Sequence, residues 1–148
     1  MIDVKPYLDE IRAKLVDTLS EHPCKESYQA LSRLKSAESL EEVFPEIASL
    51  GKERLKVDSY TNARNARYKR KMNIVDEMRL SMYEIPYRMF EDEKLLTGSK
   101  VVDGRASSLV RPVAQIAAVV ASKAMFEWMK LDDGDRFFWS EMIAGDGN

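Results

Sequence analysis

The sequence predicts a mainly α protein, a single-domain helical bundle over residues 1–148 with roughly four to six helices around one central buried helix. Three observations predict it. Ser107–Leu131 is apolar on nearly all of its circumference, as a helix enclosed by neighbours must be. Val75, Met78, Met82, Ile85 and Met89 repeat in alternating steps of three and four, the spacing of a seam between packed helices. Six Gly and five Pro among 148 residues are too few for the turns of a sandwich or barrel. An α+β domain, with one or two short strands at Leu55–Tyr60 and Arg136–Trp139, is the alternative.

Taken in order, residues 1–19 read as an amphipathic helix with Pro6 near its first turn and Leu8, Ile11, Leu15 and Leu19 on one face. Glu10 precedes Lys14 by four residues, the orientation that favours a surface ion pair. Pro23 breaks the pattern, and a second helix follows over Lys25–Lys35, burying Tyr28, Leu31 and Leu34. Ser39 and Glu42 have capping-box spacing ahead of Leu40, Val43, Ile47 and Leu50, with Gly51 as the stop and a kink or restart at Pro45. The longest periodic segment predicts a helix from Thr61 to Ile85, bent or broken at Pro86, continuing to Leu96 and ended by Thr97-Gly98. After a loop over Ser99–Ser107 comes the central helix, with Ser108 as its N-cap and Pro112 in the tolerant first turns. Asp132-Asp133-Gly134-Asp135 reads as a turn, and the aromatic tail behind it is expected to dock Phe138 or Trp139 onto the core.

Composition bounds the function. At 45% hydrophobic and 32% charged, with a single cysteine, the chain is long enough to bury a core without disulfides or metal, and a reducing compartment is the expectation. The charged N-terminal stretch has no export-signal character, so a cytoplasmic protein is expected, or a virion-associated one if phage-encoded. A membrane span is not expected, because Arg111 and Lys123 leave eleven uncharged residues between them where about twenty are needed.

The net charge of −2 conceals an asymmetry. Lys52, Arg54, Lys56, Arg64, Arg67, Lys69, Arg70 and Lys71 face only Glu53 and Asp58 across that window, so a basic block sits inside an acidic remainder. Arg64, Arg67 and Lys71 fall at helical steps, and Tyr60, Tyr68, Asn62 and Asn65 lie among them. Guanidinium forks grip phosphate in two bonds and an aromatic ring stacks on an exposed base, so these residue types suit nucleic acid, or an acidic protein partner. Glu84, Glu91, Asp92 and Glu93 farther along the same predicted rod, and the acidic group at 38, 41, 42 and 46, are candidate internal mates. The row Ala114, Ala117, Ala118 and Ala121 allows close helix approach, and with Phe138 and Trp139 forms a candidate self-association surface for a homo-oligomer.

No catalytic constellation, cofactor site or metal set is predicted, and the expectation is a binding protein rather than an enzyme. His22-Pro23-Cys24 joins the only His to the only Cys on no particular geometry and lacks further zinc ligands. Residues 132–135 lack the remaining ligands of a calcium loop. Asp92-x-Lys94 with Asp76 has the spacing of some metal-dependent nucleases, but those residues sit on strands and these read as helix. The opening Ile2-Asp3-Val4-Lys5-Pro6-Tyr7-Leu8 and the closing Leu131-Asp132-Asp133-Gly134 with Phe138-Trp139 resemble the two ends of short tail-terminator proteins of tailed phages. That resemblance implies a ring-forming assembly protein built around a sheet. The alternative function is a structural or assembly protein, a virion or other multi-subunit component, that associates through the 108–131 helix and the aromatic C-terminal tail.

Overall fold

Pro6 presets φ in the first turn of α1 (Lys5–Glu21), and the Asp3 carboxylate accepts the Lys5 backbone N–H at 3.1 Å just ahead of it. The computed structural model describes residues 2–37, 39–43, 45, 59–69, 71–98 and 104–146, with the backbone alone at 59–62 and 146. Among these, six helices are present, with one further helical turn at 40–43 and no strand. Leu8, Ile11, Leu15 and Leu19 are all buried, as their spacing predicts. Each such side chain contributes about 1.5–3 kcal/mol of transfer free energy.

Cys24 caps α2 (Lys25–Lys35), its sulfur accepting the Ser27 backbone N–H at 3.4 Å. Leu34 is buried as expected, while Ala30 and Ser27 take the other inner positions and Tyr28 and Leu31 stay half-buried. In the turn at 40–43 Leu40 and Val43 are buried; Ile47, Leu50 and Gly51 lie outside the described residues.

The single long helix predicted from Thr61 is in fact two, α3 (Ser59–Tyr68) and α4 (Ile74–Thr97). Asn73 makes the break. Its side chain accepts the Asp76 N–H at 2.9 Å while the Asp76 carboxylate accepts the Asn73 N–H at 3.3 Å, a reciprocal capping box that starts a new helix. Conversely, Pro86 neither ends nor divides α4, which runs through it to Gly98. Gly98 takes the left-handed φ of 69° and returns its N–H to the Lys94 carbonyl.

The central helix α5 (Arg105–Lys130) begins three residues before Ser108. Gly104, with φ of 78°, turns the chain into it, and the Ser108 hydroxyl donates back to the Arg105 carbonyl instead of capping. The tail forms α6 (Asp133–Asp146), which overturns both the turn at 132–135 and the alternative strand at 136–139. Asp132 supplies its cap by accepting the Asp135 N–H at 2.8 Å.

Long-range bonds fix the helix directions. Tyr7 meets Asp92, Glu10 meets Arg88 and Lys14 donates to the Ser81 carbonyl, so α1 ascends as α4 descends. Glu10 and Lys14 are therefore spent on α4 rather than on each other. Arg79 donates to the buried Ser122 hydroxyl at 3.0 Å, which sets the start of α4 beside the last turns of α5. α4 and α5 share the most extensive pairing, α1 packs on both of them, α3 lies on α4, and α2 carries α6. The expected architecture, a mainly helical bundle with α5 packed against the 75–89 seam, is the one observed, but α1, expected on the far side of α5, packs against α4 as well as α5 because its polar residues bond to α4. α5 is long and apolar enough to cross a membrane by length and composition, yet 67% of its most apolar window is buried against its own chain. The bundle accounts for that hydropathy.

Candidate nucleic-acid interface

The capping box at Asn73 decides what the basic block becomes. It ends the rod at Tyr68, so Arg64, Arg67 and Tyr68 stand on α3 while Lys69 and Lys71 lie in the corner that joins α3 to α4. The corner is tied back to the helix, since the Lys69 N–H reaches the Asn65 carbonyl at 2.9 Å and the Lys71 N–H reaches that of Ala66 at 2.8 Å. Ala63 is the buried foot of α3 against its neighbour. Arg64, Arg67, Lys69 and Lys71 are exposed, and Tyr68 is 89% exposed. Lys52, Arg54, Lys56 and Arg70 lie outside the described residues.

The expected acidic mates are largely occupied elsewhere. Glu91 pairs with Lys94 at 3.2 Å, Asp92 accepts the Tyr7 hydroxyl, and Glu93 is buried, one carboxylate oxygen having no hydrogen-bond partner among the described residues. Of the four on α4, Glu84 alone pairs with the basic face among the described residues, at 3.6 Å from Arg67 with both side chains more than half exposed, and of the other acidic group residues 38 and 46 lie outside the described residues. A pair so solvated is worth about 0–1 kcal/mol, little enough for a phosphate to displace it. Arg64, Lys69 and Lys71 meet no carboxylate among the described residues. Cations at the C-terminal end of α3 also answer its dipole, which is one reason the helix tolerates them.

The remaining candidates do not assemble. His22 and Cys24 are both buried on separate partners: the imidazole Nδ1–H donates to the Thr18 carbonyl at 2.7 Å, its ring edge-on to Trp128, while the thiol donates to the Ala124 carbonyl. Burial pushes the Cys24 thiol above its ordinary pKa, away from thiolate chemistry. Asp76 and Asp92 lie sixteen residues apart on one helix, about 24 Å along its axis, so they share no site with Lys94.

The self-association row is covered. Ala114, Ala117, Ala118 and Ala121 are each at most 1% exposed within this one chain, facing its own helices, so no alanine surface is left for a second copy. The aromatic tail divides. Trp139 packs on Tyr28 with ring centroids 5.9 Å apart, and Arg136 lays its guanidinium 3.9 Å over the Trp128 ring, donating to the Trp128 carbonyl at 3.1 Å. Ile143 closes a groove of about 330 Å³ that Val16, Tyr28 and Leu31 also line. Phe137 and Phe138 are 67% and 53% exposed, Phe138 setting its ring edge-on to Trp139 with centroids 5.0 Å apart. The helical period of α6, hidden in its turn-like opening Asp-Asp-Gly-Asp, was the signal for this division: Trp139 and Ile143 are four apart, and Phe138 and Met142 form the same spacing on another face.

Fold and site together define a helical bundle with an aromatic-bearing basic corner open to solvent. Comparison with family models, curated proteins and solved structures finds no match.

Proposed function

We propose that this protein is a non-enzymatic binding protein that engages nucleic acid through the α3 face and the corner leading into α4. The observation that carries the reading is that Arg64, Lys69 and Lys71 stand exposed with no carboxylate partner among the described residues, around the open ring of Tyr68. Cations bind the phosphates and the ring offers a stacking platform, which suits single strands or unpaired bases better than a sealed duplex. An acidic partner protein would use the same cations but has no need of the ring.

Anisotropy of labelled single-stranded and duplex oligonucleotides with the full chain tests this. With about four phosphate contacts, single-strand affinity falls about fifty-fold between 50 and 200 mM salt. Arg64→Glu/Lys69→Glu/Lys71→Glu abolishes binding, and Tyr68→Ala weakens single-strand binding more than duplex binding. Equal binding of polyglutamate and oligonucleotide would transfer the site to an acidic protein. No binding to either would remove the reading.

A second reading, a component of a multi-subunit assembly, rests on the outward face of α6 with Phe137 and Phe138. The sheet implied by the resemblance to tail-terminator proteins is absent among the described residues, so that family contributes nothing to it.

A further inference from the structure

The apolar surface of α6 extends well beyond the side it seats on the bundle. Trp139 and Ile143 face the bundle, while Phe137, Phe138 and Met142 are exposed. A surface helix normally spends its apolar side on the core and shows polar groups outside, so apolar surface beyond that side is built to be covered. What it wants is set by its charges. Asp132, Asp133, Asp135 and Glu141 are all exposed and in no ion pair among the described residues. The helix's one cation, Arg136, is turned inward over Trp128. The occupant must therefore offer cations beside apolar surface.

This chain carries such a surface: Arg64, Lys69 and Lys71, with the exposed Tyr68 ring and the 46% exposed Ile74 next to them. It lies at the same end of the bundle as the start of α6, because Arg79 near the start of α4 bonds Ser122 and sits 6.0 Å over the Phe126 ring near the end of α5. Two complementary patches at one end of a molecule can meet their counterparts reciprocally about a single two-fold axis, which closes a dimer instead of propagating a fibre.

We propose that a second copy of this chain covers the outer face of α6, each copy laying its acidic, aromatic α6 against the basic α3–α4 corner of the other. Carboxylates of α6 take the place that phosphates would occupy, and Phe137 and Phe138 reach Tyr68 and Ile74. Pairing does not depend on the nucleic-acid reading, but it competes with it for the same cations, so a polyanion separates the copies. Such an interface is steered by charge and weakens with salt.

Sedimentation velocity with a charge swap tests it. The wild-type chain is expected to dimerise at low ionic strength. Asp133→Lys/Asp135→Lys/Glu141→Lys alone and Arg64→Glu/Lys69→Glu/Lys71→Glu alone are each expected to be monomeric, since each puts like charges at both contacts. An equimolar mixture of the two regains the dimer, because both contacts become complementary. Phe138→Ser, a single exposed position, weakens the wild-type dimer about tenfold. A wild-type chain that stays monomeric overturns the proposal and leaves α6 to a foreign cationic partner; so does a dimer indifferent to Phe138→Ser, or a mixture of folded variants that does not pair. The α6 swap leaves α3 untouched, so its oligonucleotide binding reports on the proposed function independently of pairing.

Discussion

The three-helix centre and the two outer helices α3 and α6 solve opposite problems. In α1, α4 and α5 polar groups are spent across helix boundaries: Tyr7 on Asp92, Arg88 on Glu10, Lys14 on the Ser81 carbonyl, Arg79 on Ser122. In α3 and α6 only one side is spent. α3 seats Ala63 and leaves its cations in water; α6 seats Trp139 and Ile143 and leaves Phe137 and Phe138 there. Side chains that seal the centre are about stability, whereas those the outer helices leave unused are available for recognition. The two outer surfaces are also opposite in charge, a contrast that a net charge of −2 conceals.

The largest effect should come from the centre. Ile85 is fully buried on α4, so Ile85→Ala removes apolar contact and leaves a cavity, costing about 2–5 kcal/mol. Phe137→Ala removes a larger side chain from α6 but one that is 67% exposed, and is expected to change monomer stability by no more than about 0.5 kcal/mol. Urea unfolding of both, at a concentration where the chain is monomeric, gives the comparison as two midpoints with unchanged slope. Equal losses would mean that α6 belongs to the core and has no spare face.

How far each region could be read from the chain follows the same division. Periodicity reports burial, so the centre was legible: Leu8, Ile11, Leu15 and Leu19, the 75–89 seam and the enclosed α5 all lie where their spacing puts them. Punctuation was harder. Pro86 looked like a breaker yet sits inside α4, because tertiary packing on both sides outweighs one missing donor. Asn73, inconspicuous in a charged run, divides the rod because its side chain and that of Asp76 satisfy each other's backbone. The site shares this fate. Its cations were visible as composition, but their split between a helix face and a corner depends on that one cap. In α6 the Asp-Asp-Gly-Asp opening imitates a turn while serving as an acidic helix start, where the dipole favours carboxylates.

A smaller effect sharpens the account of how the centre is tied. The Tyr7 hydroxyl donates to Asp92 at 2.7 Å, and burial, then that bond and the nearby carboxylate charge, push the phenol up to about 12. Because the folded value lies above the ordinary 10, the bond's contribution is complete below pH 10 and drains away as the pH climbs toward 12. Tyr7→Phe should cost about 1.5–3 kcal/mol at neutral pH, the range for a hydrogen bond to a charged group. Subtracting the variant's stability curve from that of the wild type isolates the step: a flat difference across pH 9–12 would show that α1 and α4 are not tied through this pair.

The smallest effect tests the hinge between the two regions. Asn73→Ala removes one half of the capping box and exposes the Asp76 N–H to water, a loss of about 1 kcal/mol. Where that loss appears is the informative part. α4 keeps its buried seam, from Val75 through Met89, so its amides should exchange as slowly as before. Among the described residues the corner is tied to the last turn of α3 by the Lys69 and Lys71 backbone bonds, and those amides should exchange faster. Hydrogen exchange that accelerated uniformly along α4 would instead make the corner part of the core's cooperative unit. Acceleration confined to the corner would make the basic surface a separately adjustable part, with Arg64 and Lys71 free to change their relative placement while the bundle beneath them stays closed.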